Sequence, residues 1–116
     1  MRRNATPPAL NRKLVLEEAQ RVPDGAGGQV ETWIALGTVW ASVSAGTGRE
    51  RASQFVTVSN VAYRIVLRAE PEGSPARPKP DQRFRDGNRV FRILAVSEHD
   101  AGAHYLICHA REEVLA

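Results

Sequence analysis

Cysteine is almost missing: one residue, Cys108, stands in a chain of 116. A single thiol closes no internal disulfide and builds no cysteine-based zinc site. Long apolar runs are missing too, and no stretch approaches the ~18 consecutive apolar residues that a membrane helix needs. The first thirteen residues carry positive charge with no apolar stretch behind them, which argues against a secretory signal, and the composition with its single cysteine fits synthesis in a reducing cytoplasm. Aromatics are few, with three Phe, two Tyr and two Trp. That supply is thin for a surface that binds nucleic acid by stacking. Lysine is rare as well: Lys13 and Lys79 are the only two, so fourteen of the sixteen basic side chains are arginine. The short length excludes two separate cores. It divides into a flexible basic arm over residues 1–13 and a single domain over residues 14–116.

What is present is ordinary in amount and uneven in placement. Apolar residues make up 42% and charged residues 25%, the proportions of a chain able to fold around one core. The net charge of +3 is the sum of +4 from residues 1–13, −2 from 14–76, +4 from 77–92 and −3 from 98–116. Basic and acidic segments therefore alternate, a pattern suited to docking on neighbours or on other copies through opposite charges. Arginine adds planar, bidentate contacts to carboxylates and phosphates.

Hydrophobic alternation has the period of strands. A first strand covers Leu14–Arg21 and ends in the turn at Pro23, Asp24, Gly25, Gly27 and Gly28. A long second strand follows, with Gly37 marking a bulge or bend. Within it Val39, Ala41, Val43 and Ala45 face one way, and Trp40, Ser42 and Ser44 the other. Gly46, Thr47, Gly48, Arg49, Glu50 and Arg51 break the pattern, with one short helical turn expected near Arg49. A third strand is predicted over Phe55–Ala69, placing Val61, Tyr63, Ile65 and Leu67 on the core face. Pro71, Pro75, Arg77, Pro78, Lys79 and Pro80 then form an exposed, stiff loop, since proline donates nothing to a ladder. Asp86-Gly87 is a tight-turn signal. The last two strands are predicted over Arg89–Ser97 and His104–Arg111. The sum is an all-β fold, a small barrel or sandwich of about five to six mainly antiparallel strands, with long loops and at most one short helix. So few strands either close on themselves or leave edges that invite pairing.

Catalytic and metal-binding patterns do not emerge. His104 and His109 are five apart on a strand and point to opposite faces, while His99 sits in a turn. No serine lies in a nucleophile-elbow setting, and Gly46-x-Gly48 lacks the third glycine of a phosphate loop. Cys108, within an apolar strand, reads as a buried structural thiol. The reading is a non-enzyme with no cofactor and no metal. Trp33, Tyr63 and Phe91 fall at core positions, leaving Trp40 as the best candidate for an exposed ring.

Four segments, in order, carry a family resemblance. They are Pro23–Trp33, then Val39-Trp40-Ala41-Ser42-Val43 followed by Gly48-Arg49-Glu50, then Tyr63–Arg68, and finally Asp86–Val96. Together they resemble the head–tail joining proteins of tailed phages, the head-closure or stopper proteins, including prophage and gene transfer agent versions. The likeness runs from about Leu14 to Glu112; the proline-rich insert and the basic arm depart from it. It implies a structural protein at the neck of a virion or phage-like particle. There it would form a homo-oligomeric ring of about six copies, or about twelve, that closes the DNA channel after packaging. An adaptor or portal ring would lie above and a tail terminator or tail tube below, with double-stranded DNA passing through and no membrane involved. On this reading Gly46–Arg51 is the channel loop. Arg2, Arg3, Arg12 and Lys13 form the neighbour-binding arm, Asp24, Gly25, Gly27 and Gly28 the hairpin tip, and Pro71, Pro75, Arg77 and Lys79 an intersubunit loop. The alternative from the residues alone is a small β-barrel that binds single-stranded nucleic acid.

Overall fold

The computed structural model describes residues 8–46, 61–99, 102 and 104–113. Within them the chain forms six strands and no helix: β1 (Arg12–Pro23), β2 (Gln29–Ala45), β3 (Ala62–Arg68), β4 (Arg83–Asp86), β5 (Arg89–Glu98) and β6 (Tyr105–Glu113). All pairings are antiparallel, and the sheet closes on itself in the order β1-β2-β3-β6-β5-β4. The seam is short: Val15 pairs with Arg85, Leu16 with Phe84 and Glu17 with Arg83. Closure settles the choice between a closed sheet and open edges that the sequence left standing.

Alternation explains the interior. Leu14 and Leu16 from β1, Ala41 from β2, Ile65 and Leu67 from β3, Phe84 from β4, Phe91 and Ile93 from β5, and Leu106, Cys108 and Ala110 from β6 form one buried cluster. Each is two residues from the next on its strand, as a single inward face requires. Tyr63 packs against this cluster and meets Phe91 edge-on, with ring centroids 5.1 Å apart. Truncating a buried phenylalanine such as Phe91 costs ~3–5 kcal/mol, so the inward face alone sets the register of the sheet.

Several expectations shift in the structure. β1 begins at Arg12, so Arg12 and Lys13 belong to the strand; Arg12 pairs with Asp86 and Lys13 lies opposite Trp40. Residues 47–60 lie outside the described part, and with them the short helical turn and the start of the predicted third strand. β4 was not foreseen as a strand of its own, although Arg83-Phe84-Arg85 alternates and places Phe84 fully inside. The proline-rich segment is only partly exposed, because Pro78 is among the fully buried side chains. The segment is also built from turns: Ser74 N donates to Pro71 O, Arg77 N to Ser74 O, and Ala76 N to Ser74 Oγ.

β1 and β2 outrun the closed sheet. β4 reaches β1 only at Val15–Glu17, and β3 reaches β2 only at Ala41–Ala45. Among the described residues, 18–23 and 29–34 therefore pair only with each other and form an arm, in a molecule with extents of 65 × 37 × 21 Å. A bulge sits where the arm leaves the sheet: Leu16 faces Gly37 while Glu17 faces Ala35, which leaves Leu36 without a partner across the ladder. The expected irregularity at Gly37 is thus found, and a bulge of this kind bends its strand and raises the local twist.

Candidate functional site

A two-stranded ribbon in water is marginal by itself, so something must hold the arm in shape. At its tip, the Asp24 carboxylate accepts from Ala26 N at 2.8 Å and Gly28 N at 3.1 Å, and Asp24 N donates to Gly28 O. These donors, Ala26 first, hold the Asp24 carboxyl below its ordinary pKa. Gly25 and Gly27 adopt φ of 83° and 88°, where a β-carbon is strained. Of the tip glycines expected from the sequence, Gly25 and Gly27 are thus required by backbone conformation, while a β-carbon on Gly28 would lie 2.9 Å from Asp24 Oδ2.

The base of the arm is held by charge. Glu17 is buried just beyond the bulge, and Arg83 and Arg85 flank Phe84 on the neighbouring β4. Arg83 Nε donates to Glu17 Oε1 at 2.6 Å and Arg85 Nε to Glu17 Oε2 at 3.1 Å, so one carboxylate binds both guanidiniums. Trp33, on the arm, covers this cluster: the Arg83 guanidinium lies 4.0 Å from its ring centroid and that of Arg92 5.3 Å away. Gln82 completes the joint. Its amide donates to Glu18 at 2.9 Å, and its oxygen accepts from Lys79 N. Trp33 is therefore half-buried beneath arginines and lies outside the apolar core where the sequence placed it. Sequence reasoning missed this joint. Its one visible trace was the arginine on either side of Phe84.

A second ion pair ties β5 to β6. Arg89 binds Glu112 through two hydrogen bonds of 2.9 and 3.1 Å and also donates to the Tyr63 hydroxyl. The arginine's hydrogen bond holds the Glu112 carboxyl below its ordinary pKa, and the carboxylate in turn raises that of Arg89. Cys108 is fully buried, and desolvation pushes its thiol up to about 12, so it is inert inside the sheet as expected.

The remaining expected residues fall in several places. Gly46 follows β2 and donates to Ala62 O at 2.7 Å, while Thr47, Gly48, Arg49, Glu50 and Arg51 lie outside the described residues, as do Arg2 and Arg3. Pro71, Pro75 and Lys79 are exposed. Arg77 is half-buried and turned back on its own loop, donating to Glu70 O at 2.9 Å. Trp40 is 55% exposed, as its place opposite Ala41 and Val43 predicted. It lines a groove of about 400 Å³ with Leu10, Thr38, Val39, Leu67, Arg68, Glu70 and Ala76. Val30 and Ile34 are exposed on the arm at 47% and 42%. The chemistry on offer is contact: an anchored arm, exposed apolar side chains and arginine ion pairs.

Similar proteins share this architecture. A chain in the virion of a native gene transfer agent particle is 61% identical, with 95% of this chain and 100% of that one covered and a TM-score of 0.76. A protein from Shigella flexneri 2a, solved in solution, has the same fold at 23% identity and a TM-score of 0.63, covering 89% of this chain and 92% of its own. No curated protein sequence matches significantly. The family model described as phage head completion protein matches residues 5–113. With nearly the whole length matched, strands and arm included, the chain belongs to the phage head completion protein family.

Proposed function

We propose that this protein forms a ring at the head–tail junction, closes the DNA channel after packaging and offers the tail its docking platform. Membership of the head completion family itself makes the chain a structural protein of a phage or gene transfer agent particle, acting where head meets tail, and not an enzyme. The observation that carries the finer reading is the anchored arm. A closed sheet spends its own edges on itself, yet β1 and β2 run on past it and are held by Glu17, Arg83 and Trp33. Evolving a projection stiffened at its base is costly for a monomer and useful for a subunit that must reach a neighbour.

The channel loop is assigned to residues 46–51, between β2 and β3. Gly46 fixes where that loop leaves the sheet, and Arg49 and Arg51, repeated around a ring, would meet a polyanion. The basic segment before β1, with Arg2 and Arg3, is assigned to contact with the adjoining ring.

Deleting Thr47–Arg51 tests the closure role. Particles should assemble and package DNA and then lose it, read as nuclease-sensitive DNA after purification. Full retention of DNA with intact particles would overturn the gate. Imaging of assembled particles with this chain labelled should place it in a ring between head and tail; its absence there would overturn the ring.

A further inference from the structure

The arm and the Trp40 groove are complementary parts of one molecule that cannot meet within it. On the arm, Val22 lies directly opposite Val30, and Ile34 lies four residues along from Val30 on the same face. With Val30 and Ile34 exposed and Val22 half-buried, these side chains make an apolar stripe, while Trp33 and the arginines occupy the other face. Exposed Glu18, directly opposite Ile34, puts one carboxylate on the stripe's own face, where its Oε1 accepts from Gln82.

The groove has the reverse character. Leu10, Val39, Trp40, Leu67 and Ala76 supply apolar lining. Lys13 lies opposite Trp40 across the β1–β2 ladder, and Arg68 follows Leu67, the partner of Ala41, so exposed cations flank the indole on both sides. Glu70 stands at the rim beyond Arg68. Trp40 and the stripe belong to the same strand, six residues from Ile34 and ten from Val30, which is roughly 20–33 Å along an extended backbone. A strand held in register at both ends does not fold back over that distance.

We propose that the arm of one copy seats in the Trp40 groove of a second copy, with Val22, Val30 and Ile34 against Leu10 and Trp40, and Glu18 facing Lys13 and Arg68. Key and lock are different surfaces of one chain, so the contact is head-to-tail and repeats from copy to copy until a rotation closes it. The proposal deepens the ring reading and rests on it, adding which surfaces meet.

Cysteine pairs test it in purified particles, since Cys108 is buried and takes no part. The double variant Ile34→Cys/Thr38→Cys should give a ladder of disulfide-linked multimers on mild oxidation, while either single variant alone should remain monomeric on a denaturing gel. As an independent test, Glu18→Arg and Arg68→Glu should each lower incorporation into particles by about tenfold, and the double reversal should restore most of it. Dimers from a single cysteine variant, linkage of Ile34→Cys to a different particle protein, or reversal without rescue would each overturn the contact. Imaging separates the two levels of failure: a ring at the junction without these linkages refutes this contact alone, whereas no ring refutes the reading beneath it.

Discussion

Replacing Arg83 by methionine keeps much of the side chain's volume and removes its charge from the base of the arm. The variant loses a 2.6 Å charge-assisted hydrogen bond to Glu17, a kind worth ~1.5–3 kcal/mol. It also loses the stacking of the guanidinium on Trp33, worth ~0.5–2 kcal/mol in a partly dry setting. Arg85 stays on the second carboxylate oxygen at 3.1 Å, so Glu17 is not stripped bare and the full ~3–5 kcal/mol of a broken buried pair is not reached. The expected loss is ~2–4 kcal/mol, read as a lower urea midpoint at unchanged slope. In a melt it amounts to roughly 8–16 °C for a domain of this size. Adding Glu17→Gln should cost less than the sum of the two single changes, because the carboxylate that Arg83→Met weakens is then gone. A loss below ~0.5 kcal/mol, or strict additivity, would show that the joint is a surface contact and would refute the argument that it holds the arm.

Other expectations follow from the same contacts. Because Arg89 lowers the folded-state pKa of Glu112, this pair supports the fold above the unfolded glutamate value near ~4.3 and is lost as pH falls through the lower folded value; acid titration of Glu112→Gln should show a shallower acid limb than the parent. Desolvation raises the Cys108 thiol to about 12, so its contribution is complete below the unfolded value near ~8.5 and is lost as pH rises from there. Iodoacetamide at mildly alkaline pH should accordingly label the folded chain only as fast as it opens, and rapid labelling of native protein would contradict the burial. Gly27→Ala should cost about 1 kcal/mol through strain at positive φ and should speed amide exchange at Ala26 and Gly28 while leaving the closed sheet unaffected.

Much of the core was legible because it obeys one rule. Ala41, Ile65, Leu67 and Cys108 lie inside as their alternation predicts, and period two needs no tertiary knowledge, whereas the burial of Val66 and Ile107 between them on the outer face was not legible from it. The Asp24–Gly28 turn was legible for a similar local reason. β4 was not, since four residues offer too little repetition to stand out beside a proline-rich loop. Trp33 was misplaced because an indole satisfies either a core or a pair of guanidiniums, and only the chain's return at Arg83 and Arg92 decides between them. The arm itself was visible as a long hairpin. That it outruns its neighbours depends on where β3 and β4 stop, which is a property of the closed sheet and not of the hairpin's own residues.

The seam between β1 and β4 joins Val15 to Arg85 and Glu17 to Arg83, residues separated by most of the chain. On a translating ribosome the first hairpin is complete long before its closing partner leaves the exit tunnel, and a loop of that length is entropically slow to shut. The nascent subunit therefore spends its growth as an open ribbon. It acquires its finished shape only once β6 is free to pair between β3 and β5, so the last step of its folding also sets the earliest moment at which it can join a particle.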